Sequence, residues 1–461
     1  MLTDTIAAIS TPPGEGGIGI VRISGPLARE IGLSLFRFAG RVRKPESHRL
    51  YFGHLLEPQS GQVVDEVLFA FMRAPRTYTR EDVVEINCHG GIVAVAKTLQ
   101  LVLAAGARLA EPGEFTQRAF LNGRLDLAQA EAVIQVIRAK TEAAMTLGVA
   151  QLQGRLSVEV RRIRETLLPV LVQIEAAIDF PEHQDVEEVA RETIGGAVAE
   201  ALGQIGLLLK TADKGLIFRE GLRTAIVGRP NVGKSSLLNA LLGQERAIVT
   251  AIPGTTRDVL EESINMGGVS LVIVDTAGIR KTQDMVESIG VLRSQQALSG
   301  AGLALLVLDA VAGVTPEDQE ILEVIGEKPC LVVINKTDLL DDPGPVCRHL
   351  EQQVNPHRVV PVSVLARQGL KDLEQSILAT VFGGEAPAPE PVMVTSVRHK
   401  EALRRASESL LEVQTALQHG QPVDFLAIDL HAALSALGEI TGETVHAELA
   451  EEIFLNFCIG K

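Results

Sequence analysis

The sequence predicts a multidomain α/β and α-helical protein. It has an amino-terminal α+β domain, a helical domain and, inserted into the helical domain, an α/β domain with a doubly wound, mostly parallel sheet. Three observations predict this. Short β-type runs bounded by glycine turns ("IGIVRIS", "DEVLFAFM", "DVVEINC") share residues 1–119 with one long helical stretch, "IVAVAKTLQLVLAAGA". Apolar residues at three- and four-residue spacing dominate from about Leu125 to Lys210 and return after Val397. Between them, from about Gly221 to Phe382, apolar strands alternate with helices, the signature of βαβ units.

Each part follows in chain order. At 461 residues the chain is too long for one core, so two to four domains are expected. The helical run from Leu125 to Asp179 contains Pro169, which is expected to kink or break it, and a second run starts after "IDFPEHQ". Near Phe382 the glycine- and proline-rich "GGEAPAPEP" reads as a linker. Amphipathic helices follow at Val397–Gln418, Phe425–Gly438 and His446–Phe457. Neither helical set is a complete bundle alone, so the two are expected to pack together around the insertion. The boundaries are then 1–119, 120–215, 216–383 and 384–461.

Composition excludes several classes. The chain is 46% hydrophobic and 22% charged, as in soluble globular proteins. It shows neither a basic leader nor an apolar run of membrane-spanning length, so a cytoplasmic protein without membrane attachment is expected. Cys88, Cys330, Cys347 and Cys458 are widely separated and form no CxxC pair, so neither a zinc ribbon nor a disulfide framework is indicated. A net charge of −15 argues against a protein that coats nucleic acid. Residues 1–120 nevertheless hold 13 Lys/Arg against 12 Asp/Glu, so the remaining 341 residues carry −16.

The chemistry sits in the α/β segment. "RTAIVGRPNVGKSSLLNAL" places Gly228-x-x-x-x-Gly233-Lys234-Ser235 after a strand and before a helix, the context of a P-loop. Backbone N–H groups across Asn231, Val232, Gly233, Lys234, Ser235 and Ser236 suit phosphates; Lys234 neutralises the β and γ groups, and the Ser235 hydroxyl ligates magnesium. "TAIPGTTRD" offers Thr250, Ala251, Ile252, Pro253, Gly254, Thr255 and Thr256 as a loop whose threonine hydroxyls reach the γ-phosphate and its magnesium. "LVIVDTAG" supplies Asp275, Thr276, Ala277 and Gly278, the aspartate as magnesium partner and Gly278 as γ-phosphate sensor. "LVVINKTD" ends a further strand; Asp338 accepts both guanine N–H donors while Asn335 and Lys336 shape the pocket, and adenine has no such donor pair. Ser363, Val364 and Leu365 of "VPVSVL" close over the base.

Together these predict a Ras-like GTPase. Ile279 follows Gly278 where many such GTPases place a water-orienting glutamine. The charge and the water must therefore be managed otherwise. Asn231 with carbonyls of the 250–256 loop suits a monovalent cation, and Glu287 is a carboxylate able to act on water indirectly. Taken alone, Asn231 is also an ordinary turn residue and Glu287 a solvated acid at a helix start.

The flanking segments carry a resemblance. "TPPGEGGIGIVRISG", "PGEFTQRAFLNGRLDLAQAEA", "EAAIDFPE" and the terminal "FCIGK", in order with the GTPase motifs, resemble the MnmE (TrmE) family of tRNA-modification GTPases from Thr5 to Lys461. The resemblance implies an enzyme that works with an FAD-dependent partner, MnmG, in a heterotetramer or larger complex, with no FAD in this chain. The reaction implied is addition of an aminomethyl or carboxymethylaminomethyl group at carbon 5 of the wobble uridine of certain tRNAs. It further implies a homodimer formed through the amino-terminal domain, a bound 5-formyltetrahydrofolate or related tetrahydrofolate, and a GTPase activated by K+ through G-domain dimerisation. On this sequence Asn231, Thr250, Ile252 and Thr255 would surround K+, Ser235 and Thr256 would ligate Mg2+, and Glu287 would be the remote catalytic glutamate. Arg22, Glu85, Arg124 and Lys461 fall at the folate contacts; a carboxylate such as Glu85 suits paired pterin N–H donors, and Arg22, Arg124 or Lys461 the glutamyl tail.

Cys458 then acquires a role. Uridine carbon 5 is a poor nucleophile until carbon 6 is attacked, and a thiolate suits transient addition. A flexible terminus carrying Cys458 to the base is expected. The competing reading of Cys458 is a hydrophobic anchor, and the competing reading of the chain is a GTP-switched assembly factor without a one-carbon cofactor.

Overall fold

The computed structural model describes residues 3–40, 45–179, 187–244, 262–274, 297–384, 392–444 and 452–461. The amino-terminal part is a seven-stranded sheet built from β1 (Ile6–Ile9), β2 (Gly16–Ser24), β3 (Phe36–Phe38), β4 (Arg49–Leu56), β5 (Val63–Met72), β6 (Val83–Gly90) and β7 (Arg108–Leu109). The order is β3-β4-β5-β6-β2-β1-β7, antiparallel except for β1 with β7. Strand alternation sends Val21, Ile23, Val84 and Ile86 to one face. There they pack with α1 (Ala28–Leu35) and α2 (Ile92–Ala104). The opposite face meets α3 (Glu114–Leu121), whose Phe115 packs with Ile6 and Ala8. α1 and α3 were not foreseen in the sequence: each has only eight residues, two turns of periodicity.

The helical part holds α4 (Leu127–Arg138), α5 (Glu142–Leu152), α6 (Arg155–Asp179), α7 (Glu187–Glu220), and, after the α/β segment, α12 (Val397–Gln418) and α13 (Val423–Thr441). A capping box starts α4, the Asp126 side chain accepting from Gln129 N–H, a cap worth about 1 kcal/mol. Of the kink or break expected at Pro169, the break does not occur: α6 runs through the proline. Leu167, Val170, Leu171 and Ile174 around the proline are buried, so packing of the apolar face outweighs one lost backbone bond. Apolar residues of α6, α7, α12 and α13 form one core, so helices on both sides of the α/β segment bury each other.

The α/β part is a six-stranded sheet of β8 (Leu222–Val227), β9 (Glu262–Met266), β10 (Val269–Ile273), β11 (Leu303–Asp309), β12 (Cys330–Asn335) and β13 (Arg358–Pro361). The order β13-β12-β11-β8-β10-β9 is parallel except for the β9–β10 hairpin. It is flanked by α8 (Lys234–Gln244), α9 (Pro316–Ile325), α10 (Pro343–Gln353) and α11 (Leu370–Phe382). Every residue of β12 is buried, which is why these strands read as unbroken apolar runs. α7 reaches beyond the helical core: Phe218 stacks on Phe382, ring centroids 6.0 Å apart, inside the α/β core.

Candidate functional site

Two sites stand apart. The first is at the carboxyl end of the central strand β8, where an α/β sheet binds ligands. The loop 228–233 turns through positive φ at Gly228, Asn231 and Gly233. At both glycines no side chain fits: a Cβ on Gly228 would lie 2.5 Å from the Val307 carbonyl oxygen, and one on Gly233 would lie 2.2 Å from Asn335 Nδ2. Val232 is buried, and its carbonyl accepts from Asn335 Nδ2 at 2.8 Å, tying the loop to the base-pocket strand. Lys234 opens α8 and donates to the carbonyls of Gly228 and Arg229, each at 2.6 Å. Burial pushes its ammonium down to about 8, against the pull of Asp318. A compact loop of N–H groups at a helix amino terminus with a half-buried cation fits a nucleotide's phosphates.

The base pocket assembles at the end of β12. Asn335 Oδ1 accepts from Val364 N–H at 3.2 Å, and Ser363 Oγ donates to Asp338 Oδ1 at 2.5 Å. One Asp338 oxygen is thereby fixed, and a carboxylate is the acceptor pair that guanine N1–H and amine require. Leu365 lies 88% exposed at the rim. Lys336, at φ +65°, reaches Asp309 Oδ2 at 2.7 Å. Although burial works the other way, Lys336 and the N–H groups of Val311 and Ala312 hold the Asp309 carboxyl below its usual range. Asp309 was missed in the sequence, although an acid at the carboxyl end of a buried parallel strand was the available signal. Ser235 and Ser236 begin α8 beside Lys234. Thr250, Ala251, Ile252, Pro253, Gly254, Thr255, Thr256, Asp275, Thr276, Ala277, Gly278 and Glu287 lie outside the described residues.

The second site is on the α3 face of the amino-terminal sheet. Arg22 and Glu85 are direct partners in the β2–β6 register, and Arg22 Nε and Nη2 both reach Glu85 Oε1 at 2.8 Å. Arg22 thus orients Glu85, whereas the sequence had offered it as a separate anion ligand. The carboxyl terminus, over 430 residues away, closes the site. The Gly460 carbonyl accepts from Arg22 Nη1 and Ser10 Oγ, both at 3.3 Å; Gly113 N–H donates to the Cys458 carbonyl, and Pro112 bridges Ile459. Gly460 has φ +95°, and a Cβ there would lie 2.3 Å from the Ile9 carbonyl oxygen. The terminus expected to be flexible is therefore stitched to the sheet, with Phe454 and Phe457 packed on α4. Of the four thiols only Cys458 is exposed. Lys461 sits beside Arg22 and Glu85, its ammonium pushed down by burial and by Arg22, against the pull of Glu85. Arg124 lies over the Tyr78 ring at 4.6 Å and donates to the Tyr78 carbonyl. Burial raises the Tyr78 phenol, while Arg124 and Arg22 both pull it down, so all four predicted residues border one region.

Beneath lies a buried charge network absent from the sequence reading. Arg118 is fully buried and holds Glu114, Asp4 and Glu81 at 2.8, 2.9 and 3.2 Å. It fixes α3 to the loop that carries Tyr78, and nothing in spacing alone marks an arginine as interior.

Comparison with known proteins accords with these two sites lying in one chain. Family models describe residues 5–124 as the GTP-binding protein TrmE N-terminus and 127–458 as the MnmE helical domain. A tRNA modification GTPase MnmE of Geobacillus kaustophilus is 52% identical over 99% of each chain. The protein of the same name from Chloroflexus aurantiacus is 52% identical over the whole of both. The chain belongs to the MnmE family of tRNA modification GTPases. Among solved structures, the FeoB G-domain from Methanococcus jannaschii is similar in part, 22% identical over 35% of this chain and 97% of that one, TM-score 0.25. Within the MnmE frame the TrmE-type region holds Arg22 and Glu85, and the helical-domain region brings Cys458 to the Gly113 end of the α3 face. Among the described residues no helix is long and apolar enough to cross a membrane.

Proposed function

We propose that this chain couples GTP hydrolysis to addition of an aminomethyl or carboxymethylaminomethyl group at carbon 5 of the wobble uridine in certain tRNAs. It acts with an FAD-dependent partner subunit of the MnmG type, as a homodimer, in the cytoplasm. The division at residues 119/120, 215/216 and 383/384 belongs to the same proposal. The carrying observation is that the carboxyl terminus docks on the amino-terminal sheet, so that Arg22, Glu85 and Lys461 share a face with the one exposed thiol.

The chain's own groups divide the work. Lys234 and the loop N–H groups hold GTP phosphates, and Asp338 selects guanine. Ser235 and Thr256 would hold Mg2+, and Asn231, Thr250, Ile252 and Thr255 would hold K+, which would supply positive charge beside the phosphates, with Glu287 positioning water. At the second site Glu85, oriented by Arg22, accepts pterin N–H donors, and Arg124 and Lys461 take carboxylates. A bound tetrahydrofolate supplies the one-carbon unit. The half-buried face and a carboxylate held at one oxygen by two N–H donors of Arg22, leaving the other oxygen to accept, fit such a group. The Cys458 thiolate would add at uracil carbon 6, so that carbon 5 bonds to the methylene-level carbon of a folate iminium and the C–N π pair returns to the folate nitrogen; loss of the carbon 5 proton then expels that nitrogen, and the incoming amine adds to the exocyclic methylene as the thiolate leaves, restoring the C5–C6 double bond.

Nucleoside mass spectrometry of tRNA from cells lacking the chain, complemented with wild type or Cys458→Ser, tests this. Loss of a wobble-uridine modification restored only by wild type is expected. An unchanged profile in the deletion moves the function to a GTP-switched assembly factor, and full rescue by Cys458→Ser removes the thiol from the chemistry.

A further inference from the structure

In a chain of net charge −15, a group of arginines around the docked terminus keeps its charge. Among the described residues Arg80, Arg124 and Arg138 have no carboxylate partner; they donate instead to the backbone carbonyls of Asn122, Tyr78 and Asn456, at 2.9, 3.0 and 2.9 Å. Arg22, Arg118 and Arg398 by contrast are paired with carboxylates. A carbonyl fixes a guanidinium in place while leaving its unit charge and most of its N–H fork available.

Their placement is specific. Arg80 and Arg124 are neighbours: a Cβ on Gly123 would stand 3.5 Å from Arg80 Nη1. Arg124 precedes α4 by three residues and Arg138 is its last, so the two stand at opposite ends of a twelve-residue helix about 18 Å long. Along that same helix runs the terminus, Phe454 and Phe457 packing on Leu127, Ala130, Val133 and Ile134. Cys458 is exposed beside it, and Lys461 lies beyond. Cations therefore bracket the thiol on both sides.

We propose that Arg80 and Arg138 form the RNA-binding arc of this chain, flanking Arg124 and Lys461, which serve the folate. The backbone of an unpaired loop strand lies along α4, and one base is turned out towards Cys458. This rests on the tRNA reading given above. Planar forks match phosphate oxygens, and contacts of this kind fix position without reading sequence. A loop is required because only an unstacked base exposes its C5–C6 edge to a protein thiol. The acidic surface of a chain with net charge −15 repels RNA elsewhere and orients the encounter.

The test uses the full chain and an unmodified tRNA transcript with a wobble uridine. Arg80→Gln, Arg138→Gln and the double variant are compared with Arg80→Lys, which keeps the charge where the Asn122 tie is at stake. Each glutamine variant should lower the slope of log K against log salt by about 0.7–1, and the double by about twice that, with Arg80→Lys near wild type and GTP hydrolysis unchanged. Wild-type slopes in the double variant, with wild type binding, overturn the arc alone. A wild-type chain that does not bind the transcript, together with unchanged nucleosides in the deletion, overturns the tRNA reading and the arc with it.

Discussion

Gly460→Ala measures how firmly the terminus is docked. The residue has φ +95°, which costs an alanine about 1–2 kcal/mol. The new Cβ would stand 2.3 Å from the Ile9 carbonyl oxygen and 3.0 Å from the Ile9 carbonyl carbon, so the backbone must withdraw. Withdrawal loses the bonds from Ser10 Oγ and Arg22 Nη1 to the Gly460 carbonyl, about 1 kcal/mol each. The sum, about 3–4 kcal/mol, shifts docking of the last residues by about two orders of magnitude or more. The last residues open locally, so global melting should move little. The assay is release of Lys461 by a carboxypeptidase specific for basic residues, with folate affinity measured alongside. Gly17→Ala, where nothing lies within 4 Å of the added carbon, is the control. Release at least tenfold faster in Gly460→Ala alone is expected. Equal release rates in the variant and wild type would refute the argument that the terminus is held by a site too tight for a side chain.

Further predictions concern the nucleotide site and the helical core. Burial holds Lys234 at about 8 and phosphates favour its charged form, so GTP binding should take up about half a proton at pH 8, read by calorimetry in buffers of different ionisation heat. Affinity should fall as pH rises past 8, and proton-neutral binding there would exclude the half-buried ammonium. Gly233→Ala places a carbon 2.2 Å from Asn335 Nδ2 and should abolish measurable GTP binding by filter assay, while a retained affinity would show that the loop gives way. Asp338→Asn should lose GTP at least about a hundredfold and gain xanthosine triphosphate, because an amide donates where the carboxylate accepted. Burial would raise Glu131, but the His399 ring and the Arg398 guanidinium overcome it and hold it at about 2. Its contribution is present above about 4.5 and is lost as pH falls towards 2. Glu131→Gln should therefore cost about 3–5 kcal/mol in denaturant unfolding at pH 7 and remove that acid dependence.

What the sequence disclosed followed the range of the interactions. β8, β11 and β12 were legible because strands buried on both faces are apolar throughout, and the P-loop because its spacing is local. The α1 and α3 helices were hidden by length, and α3 also by its buried charges, since Glu114 and Arg118 read as surface residues. Arg22 and Glu85 were singled out individually, but that they grip each other is a matter of strand register, which single residues do not show. Gly460 looked like an ordinary terminal glycine because the atom that forbids a side chain belongs to Ile9, at the other end of the chain.

α7 has one further consequence. Its buried residues Ile194 to Ala212 belong to the helical core, while Ile217 and Phe218 belong to the α/β core. At 34 residues it is a single beam about 51 Å long, built into a wall at each end. A beam without a joint stores no slack: a tilt of about 5° at one wall displaces the far end by about 4 Å over that length. Near its α/β end Gly215 lies so close to the Val394 carbonyl, with 2.2 Å left for a side chain, that the beam cannot slide there without moving the strand of chain that returns to the helices. The two cores are thus geared to each other, and a small turn of either is read by the other as a large stroke.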